Sequence, residues 1–171
     1  LMFNVEAESL KNDLNFNLGL DIKSLRLLNV YDLFNFSEEL LEKSKFKVFG
    51  EVQTDDVYLS VDLANKKYLA VEFLPGQFDQ RASSAESCVR LIDPSANITI
   101  KSSKLLIFND EVTIEEINKI KDYYINKVES REKDLNVLEF NDKATPSKVN
   151  VVEGFIEYSD EQLNSMLKEM G

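Results

Sequence analysis

The hydrophobic pattern of this chain alternates between helical and strand periods. Ala7, Leu10, Leu14 and Leu18 fall at helical spacing, Asn4 stands where an N-cap belongs and Gly19 where a helix closes. These predict a helix over Val5–Leu18. A long strand is predicted over Ser24–Phe34, then a helix capped by Ser37 with Leu40 and Leu41 apolar. Val57, Leu59, Val61 and Leu63 alternate with polar neighbours and predict another strand. Lys67–Leu74 carries apolar residues on both faces, as a central strand does, and Pro75-Gly76 breaks it. Asp79 is placed to cap a helix over Gln80–Ile92, with Ala82, Ala85, Val89 and Ile92 as its inner stripe. Ile98–Phe108 reads as a long strand, followed by a turn at Asn109-Asp110. Thr113 with Glu116 three residues on forms a capping-box signature for a helix from Ile114 to about Val128, its inner face set by Ile114, Ile117, Lys121, Tyr124, Ile125 and Val128. Leu135, Val137 and Glu139 predict a last strand.

This order repeats. At an offset of 75 residues Phe3 falls on Phe78, Ala7 on Ala82 and Leu14 on Val89. After a small insertion Leu27-Leu28 meets Leu105-Leu106 and Asp32 meets Asp110. After a small deletion Ser37 meets Thr113, Leu41 meets Ile117, Leu59 meets Leu135 and Val61 meets Val137. Caps fall on caps, which argues for two tandem β-α-β-α-β units: 1–64, 65–140, and a polar connection with a helix start at 141–171. The strand that opens the second unit has no counterpart ahead of the first, where only Leu1-Met2 precede Phe3, so the first unit is read as lacking its leading strand. The expected fold class is α+β: one largely antiparallel sheet with pseudo-twofold symmetry and four helices on one face.

Composition narrows the function. The net charge of −11 disfavours nucleic acid and anionic lipid as partners. Histidine is absent, which removes the commonest general base and nitrogen metal ligand. Cys88 is the sole cysteine, so no internal disulfide forms, in keeping with a reducing cytoplasm. Without a histidine to activate it, Cys88 reads as a buried structural thiol. Asp55-Asp56 and Glu115-Glu116 sit at a loop and a helix start, where acids are favoured in any case. Phosphate-loop, metal-cluster and nucleophile–base signatures are all missing, so no catalytic residues and no metal site are assigned.

The densest polar segment is the strand–turn–helix junction Gln77, Phe78, Asp79, Gln80, Arg81, Ser83 and Ser84. Free N–H groups at a helix start, with Arg81, Ser83 and Ser84 as further donors, suit a phosphate or carboxylate. On the residues alone, a capped helix with a solvated first turn is the favoured reading.

The stretch Val71-Glu72-Phe73-Leu74-Pro75-Gly76-Gln77-Phe78-Asp79-Gln80-Arg81-Ala82-Ser83-Ser84-Ala85-Glu86-Ser87-Cys88 resembles the first domain of the large single-chain phosphoribosylformylglycinamidine synthases. Val5–Leu10 with Asn17-Leu18-Gly19 resembles the opening of that domain, and Gly154-Phe155-Ile156 with Ser159–Leu163 the start of its linker. The resemblance implies a fusion of two copies of the small PurS subunit, a structural role beside the synthetase and glutaminase domains of the same chain, and a share in the internal ammonia route. It implies that ATP, magnesium and glutamine are handled beyond residue 171, so this segment holds no cofactor and turns over nothing alone. It also implies that Gln77–Ser84 faces the synthetase domain near the substrate or the ammonia path. The alternative is a free-standing regulatory module, since paired β-α-β units also build small-ligand sensors.

Overall fold

The computed structural model describes residues 4–50, 55–109 and 111–138, with residues 158, 159, 161, 163–165 and 168 beyond them. The helices are α1 (Val5–Leu18), α2 (Glu38–Ser44), α3 (Gln80–Ile92) and α4 (Ile114–Tyr124). The strands are β1 (Leu25–Phe34), β2 (Lys67–Phe73), β3 (Thr99–Phe108) and β4 (Ser130–Glu132). The four strands form one antiparallel sheet in the order β1-β3-β2-β4. An α+β architecture therefore holds, and the strands and helices central to the two halves lie where the periodicity puts them.

Local chemistry explains the agreement. Asn4, Ser37, Asp79 and Thr113 each accept a hydrogen bond from the backbone N–H three residues on, and Thr113 with Glu116 completes the capping box. Gly19 closes α1 at φ 64°, a left-handed conformation with little cost only for glycine.

Strand alternation then sorts residues onto two faces. On one face Leu25, Leu27, Leu69, Val71, Leu106 and Phe108 join Ala7 and Leu14 of α1 and Ile120 of α4. Further along that face Tyr31, Leu33 and Ile100 pack with Leu40 of α2 and Ala82, Ala85 and Val89 of α3. All four helices thus cover the same side as two separate clusters. The other face holds a smaller cluster of Ala70, Leu105 and Ile107, with Leu28, Val30, Val61, Leu63 and Leu135 against it.

The differences fall in the connections. Val57–Leu63 forms no strand. Its alternation is real, since Val61 and Leu63 pack on the sheet, but a turn follows at once: Asp62 accepts from the Ala64 N–H (2.9 Å) and Lys66 N–H bonds to the Leu63 carbonyl (3.0 Å). Alternation reports which side chains face a core, not whether a ladder forms. Helix α4 stops at Tyr124 rather than near Val128, because the Asn126 side chain accepts from the Val128 N–H and its carbonyl accepts from Glu129 and Ser130, drawing the chain into a turn. Its buried face centres on Ile120, whereas Ile114 and Val128 are exposed. Among the described residues the last strand is Ser130–Glu132, not Leu135 onward: Asp134 starts a turn through Asn136 and Val137, and Leu135 packs on the open face of the sheet instead. Glu139 and the connection over 141–157 lie outside the described residues. Within the helix expected after Ser159, Leu163 N–H bonds to the Ser159 carbonyl (3.0 Å).

Candidate functional site

Strand β2 ends at Phe73, and Leu74 N–H is held by the Glu129 carbonyl (2.9 Å). Pro75 and Gly76 then reverse the chain in a turn closed by Gln77 N–H on the Leu74 carbonyl (3.0 Å). Gly76 has φ 89°, so the turn needs glycine there. Gln77 donates from its side-chain amide to the Val128 carbonyl (3.2 Å), tying this turn to the one after α4. Phe78, next before the cap residue Asp79, is exposed at 74%.

Asp79 is more than a cap. Its carboxylate accepts from Ala82 N–H (2.8 Å), from Ser102 N–H (2.7 Å) and from the Ser102 hydroxyl (2.9 Å). The first turn of α3 is thereby fastened to the middle of β3. The carboxylate takes up the Ala82 N–H at the helix start, so that backbone N–H group is not free for an external anion. The capped-helix reading of the junction holds at Asp79.

The other residues of the junction part company around this clasp. Gln77, Phe78 and Asp79 border a cavity of about 580 Å³ toward β4, which Lys101, Arg131 and Lys133 also line. Phe78, Gln80, Arg81 and Ser84 border a second, open crevice of about 930 Å³. Ser83 lines neither cavity, and its carbonyl accepts from the Ser87 hydroxyl (2.9 Å).

The crevice lies on the helix-covered face of the sheet. Its floor is Val71, Phe73, Ser102 and Lys104, and its walls carry Tyr31, Arg81, Ser84, Tyr124 and Lys47. Arg81 donates to the Tyr31 hydroxyl at a long 3.4 Å. Lys104 pairs with Glu6 (2.7 Å). Burial, helped by the Glu6 carboxylate, lifts the Tyr124 phenol above its usual 10.0, so it remains a proton donor at neutral pH.

Cys88 corrects the reading of a buried thiol: it is exposed and lines the crevice. The stripe Ala82, Ala85, Val89 is the buried side of α3, and position 88 is rotated to its margin.

The opposite face carries a site that the sequence did not disclose. Lys133 is 7% exposed, bonded to Asp32 and, at 3.1 Å, to Glu72, which also meets Arg131 at 2.8 Å. Burial pushes the Lys133 ammonium down, but the hydrogen bonds and charges of Asp32 and Glu72 outweigh it and hold it above the ordinary 10.5. Lys133 N–H also donates to the Ala70 carbonyl, extending the β2 pairing by one residue beyond β4. The only advance signal was Asp32 and Glu72, acids within apolar strands.

Among the described residues no group of His, Cys, Asp or Glu is placed to hold a metal ion, and no helix is long and apolar enough to cross a membrane. Comparison with protein-family models, with curated proteins and with solved structures gave no match to this chain.

Proposed function

We propose that the chain is the opening, non-catalytic domain of a large single-chain phosphoribosylformylglycinamidine synthase, made of two fused PurS-like units at 1–64 and 65–140 and the start of a linker at 141–171. The observation that carries this reading is the stretch Val71–Cys88, whose amino-acid sequence resembles the corresponding segment of that domain. In this role the domain organises contacts with the synthetase and glutaminase domains of its own chain in the cytoplasm, while ATP, magnesium and glutamine chemistry belong to those domains.

Two features support a duplicated origin. The caps that overlay in sequence behave alike, with Asn4 bonding Ala7 N–H at 3.1 Å as Asp79 bonds Ala82 N–H at 2.8 Å. Strands β1 and β3 lie side by side with Leu27 opposite Leu106 and Leu28 opposite Leu105. The two dipeptides matched by the overlay therefore face each other, as a local twofold axis between the units requires.

Arg81→Ala in the full-length enzyme tests the domain's role. The reading expects weaker use of the ribonucleotide substrate or poorer coupling of glutamine hydrolysis to product. Unchanged substrate affinity together with unchanged coupling would remove Gln77–Ser84 from any interface. The family assignment itself is tested separately: a reading frame that continues past Gly171 without ATP-binding and glutaminase segments would sink it.

A further inference from the structure

Three cations border the crevice between the two helix clusters in a chain whose net charge is −11, and one of them, Lys104, is already paired with Glu6 (2.7 Å). Arg81 comes from α3, Lys104 from β3 and Lys47 from the segment after α2, three cations from three separate parts of the chain. Neither Arg81 nor Lys47 has a carboxylate within ion-pair distance among the described residues, although acids outnumber bases 31 to 20 in the sequence. Two cations with no carboxylate partner among the described residues, beside one concavity, are unexpected on so acidic a surface, where surplus carboxylates are the commoner neighbours.

Two acids also border the crevice. Glu72 is already engaged by Lys133 and Arg131, and Glu129 belongs to the turn after α4, whose backbone holds Leu74. Hydroxyl donors complete the arrangement: Tyr31, already within 3.4 Å of Arg81, Ser84 and the protonated phenol of Tyr124. Cationic and hydroxyl donors drawn from several parts of the chain line one crevice, a set that suits a tetrahedral dianion better than a planar carboxylate, which a single Arg fork satisfies. At about 930 Å³ the crevice is far larger than an inorganic anion, and Phe73, Phe78 and the tyrosine rings line the remaining space.

The geometry points to a binding site for a small phosphomonoester, its phosphate held by Arg81, Lys47 and Lys104 and its organic portion against the aromatic walls. The Asp79 clasp fixes Arg81 relative to Lys104, because it fastens α3 to β3. This site stands on the crevice alone and does not depend on the family reading.

Cys88 supplies the readout, being the only thiol in the chain, exposed, and part of the same crevice. The 171-residue chain is modified with a neutral alkylating reagent at constant ionic strength in chloride, acetate, inorganic phosphate or ribose 5-phosphate. Inorganic phosphate should slow alkylation in a saturable way, and ribose 5-phosphate should do so at lower concentration. Arg81→Ala should raise the half-protecting concentration about tenfold or more, as expected for loss of a charged hydrogen-bond donor. Glu129→Gln should lower it by relieving repulsion. Equal protection by acetate, no protection by either phosphate, or protection that survives Arg81→Ala would each overturn the proposal.

Discussion

The two faces of the sheet are stabilised by different physics. The helix-covered face buries Leu106, Leu14, Val89 and Ile120 at 0% exposure in two apolar clusters. The open face has a small apolar cluster covered by connecting segments, and beside it Lys133 buried between two carboxylates. Apolar burial tolerates imprecise neighbours and loses stability in proportion to the volume removed. A buried ion pair depends on both partners, because either one left alone retains the cost of its burial.

The largest effect is expected from breaking the apolar face. Leu106→Ala should lower unfolding free energy by about 3–5 kcal/mol in denaturant titration, the range for a fully buried leucine. Leu28→Ala, half-buried on the open face, should cost only ~1–2 kcal/mol. Comparable losses would mean that the connecting segments pack as tightly as the helices.

Next comes the ion pair. Lys133→Ala leaves Asp32 and Glu72 without their shared counter-charge and should cost about 3 kcal/mol. Adding Asp32→Asn should recover part of that loss, and a double-mutant cycle measures the coupling. Strict additivity of the two changes would show that the pair does not stabilise this face.

Alkali separates the faces without mutation. Lys133 has a folded pKa above the ordinary 10.5, so its contribution is complete below that value and is lost as pH rises through the higher folded value. Wild-type stability should fall more steeply above about pH 10.5 than that of Lys133→Ala. Parallel alkaline curves would assign the fall to other groups.

The smallest effect belongs to the junction. Asp79→Ala removes a helix cap and two bonds to Ser102 and should cost ~1–2 kcal/mol, with a matching rise in the accessibility of Cys88.

The same contrast governs what the sequence revealed. Helices α1 and α3, strands β1 to β3 and all four caps were legible, because periodicity and capping act within a few residues of one another. The strand at Ser130–Glu132 was not, since its three residues are polar and their extended form is set by pairing with Val71, Glu72 and Phe73. The early end of α4 turned on the side chain of Asn126, which competes with the helix for backbone donors. Of the candidate site, Arg81 and the Asp79 cap could be read locally. Tyr31, Lys47 and Lys104 could not, nor could the partners of Lys133, which lie 101 and 61 residues away. Cys88 was misread because a position at the margin of an apolar stripe looks, in sequence, like part of it.

The Asp79 clasp also bears on hydrogen exchange. One carboxylate accepts the amide protons of Ala82 in α3 and Ser102 in β3. Neither bond needs the other to break if the helix frays alone, but the carboxylate cannot leave its place without exposing both. If the two amides exchange through a single opening, they should share one protection factor and one denaturant dependence, although they sit in different elements. The junction between turn and helix would then open as part of the sheet rather than as a loop.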